Sequence, residues 1–550
     1  MENKKRSKGS DYLVQGSILA AAGILVRMIG LIYRVPITNI LGDEGNGYYN
    51  IAYSVYNMLL MISSFGLPIA VSKLVSTQMV LGRKKNAIKV FKSAVLFALV
   101  VGGVISVITF IFAQSFANIL GSPPGVYALR VIAPTLFVMA ILGAVRGYFQ
   151  GLGTMLPTAF SQIVEGVINA VVSVIAAHIF FNIGVEKAHQ MGDETLGPAY
   201  GAAGSTLGTL VSATVALVFF CFILYAYRGV LKKQQRQDAG GYEDSYKVIY
   251  KALLITIVPI VLSTVTYNIN ELLDVGIFNN IMKFKGFEEK AISGFRGVFY
   301  GKVKLLTNVP LIIASCLIPS MIPSLSDAMV NRNKKLARDK IHMSMRYTLV
   351  VTIPCAVGLG VLASPVLQLL FKDSSALAAN LLILSCFTLV FYSYSTIQNG
   401  ALQGINRLKV PVVNALIAIG IHLVFLLLLL VVFNGGIYAV AIADFIFAIS
   451  MCVLNARALG KYLQYQQEQV KTFVIPGVCS LIMGIVVLAV YKVSVLLLNS
   501  NAIGTVLAIL IGAVVYAVLL LKFKGITKSE IRGIPKGRSI IKVAEKLHLF

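Results

Sequence analysis

The chain has 550 residues, 57% of them hydrophobic and only 13% charged, a balance that excludes an ordinary soluble domain. The formal charge of +26 would suit a nucleic-acid binder. Its basic residues, however, gather in short connections between apolar runs, where they set membrane orientation, so no nucleic-acid partner is expected.

Apolar runs long enough to span a bilayer predict an all-α polytopic membrane protein of about 14 transmembrane helices. They lie near 14–38, 47–79, 93–117, 127–151, 155–182, 198–228, 249–282, 296–326, 346–371, 376–402, 410–433, 436–458, 472–497 and 501–522. On the first, Gly16, Ala20, Gly23, Arg27, Gly30 and Arg34 fall on one helical stripe, and the other faces are Ile, Leu, Val or Met. An arginine near mid-membrane costs about 2.5–3.5 kcal/mol on insertion scales. Two on one stripe therefore need water, an acidic partner or an anionic ligand. The competing reading is a close helix–helix seam of small residues, with the arginines reaching interfacial water.

Orientation follows from the connections. Lys4, Lys5, Arg6 and Lys8 precede the first span, and Arg83, Lys84, Lys85, Lys89 and Lys92 follow the second. Arg228, Lys232, Lys233 and Arg236 follow the sixth; Arg332, Lys334, Lys335, Arg338 and Lys340 follow the eighth. The intervening connections are nearly free of positive charge, so both termini are expected on the cytoplasmic side. KFKGFEEKAISGFR (283–296) argues against this, being basic on the outer side.

The first twelve spans look duplicated. Gly147 to Gly151 (GYFQG) ends the fourth, and Gly400 to Gly404 (GALQG) ends the tenth, each with a proline soon after, Pro157 and Pro411. Leu67-Pro68 and Ile322-Pro323 form a second echo. The expected organisation is two six-helix repeats, 1–230 and 231–460, parallel about an axis along the membrane normal. A pair of extra helices follows over 461–525, and then a basic, amphipathic cytoplasmic tail over 526–550.

The charges expected within the membrane are Arg27, Arg34, Arg146, Lys302 and Lys304 against Glu165, Glu271, Asp274 and Asp444. Arg146 and Glu165 are hairpin neighbours and are expected to pair, with Arg146 otherwise a candidate substrate-binding cation beside Arg27, Arg34, Lys302 and Lys304. Glu271 and Asp274 lie in the outer third of the seventh span, and Lys302 and Lys304 in that of the eighth, its hairpin partner, so a structural ion pair there is one reading. Those lysines are about 200° apart on a helix, so one of them should face a cavity or interface instead. Asp444 stands alone and could serve a cation. Arg27 and Arg34 have no acid at their depth in the first six spans; Asp43 and Glu44 could at best reach Arg34. The cavity should be positive and its ligand negative, and a guanidinium fork suits phosphate oxygens.

No enzyme signature is present. GLGTM (151–155) lacks the lysine and strand of a phosphate-binding loop, and the five histidines form no metal-ligand spacing. The six cysteines all lie in apolar runs without CxxC spacing, and neither cofactor nor metal is expected. Transport would be driven by an ion gradient (Na+ or H+), by membrane potential or by downstream consumption.

LVRMIGLIYRVPITNILGDEGNGYY at the start, YNMLLMISSFGLPIAVSK (56–73), IPSLSDAM (322–329) and the YFQGLG/ALQGIN pair together resemble the multidrug/oligosaccharidyl-lipid/polysaccharide (MOP) exporter superfamily. Within it the chain is similar to MurJ-type lipid II flippases of the SpoVB-like group. The resemblance implies two six-helix lobes in a V, alternating access, a cationic cavity, and a groove between the thirteenth and fourteenth helices for an undecaprenyl tail. It implies as cargo an undecaprenyl-pyrophosphate-linked glycan, moved to the outer leaflet of a bacterial plasma membrane for cell-wall building, beside membrane lipids and wall-synthesis proteins. The family's RxxG arginine falls on Arg27, and its next arginine falls beside Tyr33, so Arg34 is offset by one. The family's second-helix arginine meets Leu60, a departure. Its eighth-helix arginine falls near Lys302 and Lys304. Asp274 matches an acid that serves a sodium site in some members, whose helix-eleven acid is absent here. The alternatives are a flippase for another polyprenyl-linked glycan, or a MATE-like cation/drug antiporter using Asp274 or Asp444.

Overall fold

The computed structural model describes residues 2–236, 243–526, 541 and 545, with most side chains from residue 21 onward. The tail expected over 526–550 falls almost wholly outside them, as do the surroundings of Gly16 and the side chain of Ala20.

The described residues are mostly helical, with no strand among them. In a bilayer only helices, or a closed barrel, satisfy the backbone internally. In chain order the first helices are α1 (Glu2–Leu60), α2 (Gly66–Val80), α3 (Lys84–Ile111), α4 (Ala113–Ile119), α5 (Val126–Gly151) and α6 (Leu156–Met191). Then come α7 (Leu196–Arg236), α8 (Tyr246–Phe284), α9 (Glu289–Arg296), α10 (Lys304–Val330), α11 (Lys334–Val361) and α12 (Ala363–Phe371). The chain continues with α13 (Ala376–Gly404), α14 (Lys409–Val431), α15 (Gly436–Leu463), α16 (Ile475–Leu498) and α17 (Asn501–Lys522). Among the described residues, twelve segments are long and apolar enough to cross a membrane. The first of these, Ala21–Val80, is 60 residues long and is broken at Gly42, which gives it room for two passes. α10 is not among the twelve, but its 27 residues rise about 40 Å at helical pitch. The expected count of fourteen is thus approximate.

Two features re-aim the chain near the first span. At Gly42 (φ 63, ψ −174) the backbone enters a region that only glycine occupies without strain, and α1 turns back on itself there. π-helical turns at Met61–Phe65 and Gly297–Val303 shift the helical register by about one residue each.

By contacts the chain forms two units, Met1–Gly301 and Lys302–Phe550. This division groups α8 and α9 with the first unit. The expected boundary near 230 instead concerns the duplication, a different property.

In the first unit one buried cluster joins α1 beyond its kink (Tyr48, Ile51, Val55) to α5 (Leu129, Ile132, Leu136), α7 (Ala199, Ala202) and α8 (Val275). A second joins α2, α3, α5, α7 and α8 around Leu67, Val90, Tyr148, Phe220 and Leu253. The second unit has its own, built from Met321, Leu325, Ile341, Ile397, Leu402 and Leu459 on α10, α11, α13 and α15. The echoed glycines do the same work in each. A Cβ on Gly147 or Gly151 would press on Pro68, Ser72 and Val75 of α2, and one on Gly400 or Gly404 on Ile318, Met321 and Leu325 of α10. Each pair lets one helix lie close on its neighbour. α16 and α17 pack on each other, with Gly512 against Val487, and Asn501 donates to the Pro365 carbonyl of α12 at 3.2 Å.

The basic segment that conflicted with the orientation is folded into α9 and its flanks, and its charges are used locally. Lys283 pairs with Glu289 at 3.4 Å and Lys290 with Glu194 at 2.9 Å. The fully buried Arg296 donates to Ser122 at 3.2 Å and to Ser293 at 2.7 Å, with Glu289 4.0 Å away. Charges neutralised this way carry little weight as an orientation signal.

Candidate functional site: a cationic stripe on the first helix

The side chains fall into two groups, cations held by carboxylates and cations that are not. Arg146 on α5 belongs to the first. It is buried, and its Nη2 donates to Glu165 at 2.7 Å and to Ser161 at 3.0 Å, the hairpin pairing expected from sequence. In the second unit Lys302 Nζ lies 2.6 Å from Asp373, and Lys304 is ion-paired with Asp444. The two lysines thus face different partners, as their angular separation requires, with Lys302 inside the π-helical turn. Both are engaged by acids of their own unit. Asp444, expected to stand alone, is taken up by Lys304, and Asp373 was missed because it sits in the connection before α13 rather than in a span. Asp373 is held below the usual carboxylate range. Burial pushes its carboxyl up, but hydrogen bonds from Lys302 and Ser375 outweigh that. Asp274 is buried on α8 and Glu271 accepts from Asn50 Nδ2 at 3.3 Å.

Arg27 and Arg34 form the second group. Among the described residues neither meets a carboxylate. Arg27 is exposed, and the glycines on its stripe adjoin open space: a Cβ on Gly23 or Gly30 would meet nothing within 4 Å. Among the described residues, then, the stripe forms no close seam at Gly23 or Gly30. The side of the helix that packs is marked by Val26, which lies against Gly166 of α6. Glu44, named as a distant partner for Arg34, accepts from Tyr48 at 2.8 Å instead.

Arg34 is half-buried among aromatic rings. The reversal at Gly42 brings the following turns beside it, and its Cζ lies 4.6 Å from the Tyr49 ring centroid and 5.1 Å from that of Tyr53. Those rings are stacked, 5.3 Å apart at 18°. Tyr33 accepts from Asn169 of α6 at 3.0 Å. The sequence signal for this cluster was the row Tyr49, Tyr53, Tyr56, at spacings of four and three on one helical face. It went unread because aromatic rows are common in cores. On the adjoining face of α1, Ser54 and Asn57 line a cavity of about 60 Å³ with Asn268 and Glu271 of α8.

The chain matches the profile described as "Polysaccharide biosynthesis protein" over residues 13–329, more than half its length. The chain belongs to that family. A second profile, MatE, matches residues 306–428. This member of the polysaccharide biosynthesis protein family is 28% identical to the lipid II flippase MurJ of Bacillus subtilis, over 92% of this chain and 94% of that one. It is 26% identical to stage V sporulation protein B of the same organism, over 96% and 98%. In fold it is similar to a structure titled "Lipid II flippase MurJ, inward closed conformation", with TM-score 0.66 and 16% identity, covering 92% of this chain and 98% of that chain. An inward-facing MATE family transporter of the MOP superfamily follows at TM-score 0.61 and 15%, covering 80% and 95%. The family member is thus a multi-pass MOP-superfamily protein, MurJ-like and SpoVB-like.

Proposed function

We propose that this protein flips a polyprenyl-diphosphate-linked glycan across a bacterial plasma membrane, with lipid II as the cargo, from the inner to the outer leaflet. The observation that carries the reading is the split among the cations: Arg146, Lys302 and Lys304 have carboxylate partners, whereas Arg27 and Arg34 have none among the described residues. Fixed positive charge without a protein counter-ion at membrane depth calls for an anion. Guanidinium forks bind phosphate oxygens bidentately and stay charged in a low dielectric. Arg27 and Arg34 would hold the diphosphate during the crossing. Lys302 and Lys304, engaged by acids, would join only by exchanging partners.

The named relatives support a lipid-linked cargo, and 28% identity leaves another polyprenyl-linked glycan as the second reading. A MATE-like antiporter is favoured by the MatE match; Lys304 engages Asp444, one of its two candidate acids, and leaves Asp274 as the other. α16 and α17 present exposed Ile485, Leu488, Leu510 and Val514, a surface suited to the lipid tail. By the distribution of basic connections, both termini would lie on the cytoplasmic side. The test is depletion in a host without another lipid II flippase. Lipid II should accumulate on the inner leaflet; unchanged lipid II with altered dye efflux would favour the antiporter.

A further inference from the structure

The tyrosines around Arg34 are so far unexplained. A cation in a membrane helix ordinarily meets a carboxylate, as Arg146 does at 2.7 Å. Such a partner offsets the loss of hydration and also cancels the charge. An aromatic face offsets part of that loss and leaves the charge intact. Arg34 is held in the second way, with its Cζ 4.6 Å and 5.1 Å from the Tyr49 and Tyr53 centroids. Arg34 also shares hydrogen bonds with the Tyr33 and Tyr49 side chains; neutral hydroxyls, unlike a carboxylate, orient the guanidinium without cancelling its charge, and its remaining N–H bonds can serve an anion. The platform is itself braced. Tyr49 is buried and stacked on Tyr53 at 18°, and Tyr53 packs on the buried Tyr56 at 5.8 Å.

We infer that Tyr49 and Tyr53 are positioning residues that hold Arg34 as an oriented, still-charged fork for the oxygens of a lipid diphosphate. This rests on the flippase reading above and adds to it the means by which Arg34 is presented. It also accounts for the offset from the family pattern: one position beyond Tyr33, the arginine lands on rings supplied by the far side of the Gly42 reversal.

The test uses the full chain in lipid nanodiscs, titrated with undecaprenyl diphosphate. Tyr53→Phe keeps the ring and should bind within about twofold of wild type, whereas Tyr53→Leu should bind about tenfold more weakly at an unchanged melting temperature. In an Arg34→Gln background, Tyr53→Leu should cause no further loss, because the ring acts through the guanidinium. Wild-type binding by Tyr53→Leu, or an equal loss in both backgrounds, would overturn the assignment. Should Tyr53→Leu fail to insert, Tyr53→Met carries the same expectation. If Arg34→Gln itself binds like wild type, the anion site of the proposed function falls, and the platform falls with it. If Arg34→Gln loses binding while Tyr53→Leu does not, only the platform falls.

Discussion

Arg146 and Arg34 are the same residue type on neighbouring membrane helices, and their surroundings give them opposite jobs. Arg146 with Glu165 is a buried pair, which removal of one partner breaks at a cost of about 3–5 kcal/mol. Arg146→Leu alone should therefore lower thermal stability, and Arg146→Leu with Glu165→Leu should restore most of it while transport persists. Thermal unfolding of the single and double variants checks this. Arg27→Gln should behave in reverse, with insertion and melting temperature held and complementation of a flippase-deficient strain lost. At Asp373 the depressed carboxyl sets a pH window. Its folded pKa lies below the ordinary value of about 3.9, so the Lys302 pair contributes its full stability above that value and loses it as pH falls through the folded pKa. Melting curves of wild type and Asp373→Asn should differ by a constant amount from pH 5 to 8 and converge only below about pH 4.

At the level of the helix, the reversal inside α1 matters most, because it places Tyr49 and Tyr53 beside Arg34. Gly42→Ala forces a side chain into a conformation reserved for glycine and should destabilise by about 1–3 kcal/mol. Undecaprenyl diphosphate binding should weaken as well, since the rings lose their place; a variant with wild-type stability and binding would contradict this role. Helices were readable from the sequence because twenty-residue apolar runs have few other fates. The Arg146–Glu165 pair was readable because both residues lie on one hairpin. The partners of Lys302 and Lys304 were not, since Asp373 and Asp444 reach them from distant segments and a π-helical turn alters the angle between them. The tyrosine platform was hidden for a related reason, as only the folded-back kink brings residues on both sides of Gly42 together.

Across the whole molecule, charge is the organising quantity. A net +26 is spread over basic connections, local pairs such as Lys290–Glu194, and a small residue of cations inside the membrane without acids. Among the described residues that last group is Arg27 and Arg34 on the first helix, and the account depends on it. The measurement that tests it most directly is a leaflet-resolved lipid II assay in a flippase-deficient host carrying wild type, Arg27→Gln, Arg34→Gln, or the Arg146→Leu/Glu165→Leu pair. Lipid II should reach the outer leaflet with wild type and the apolar pair and remain on the inner leaflet with either glutamine variant. Normal delivery by Arg27→Gln and Arg34→Gln, both present in the membrane at wild-type levels, would contradict it.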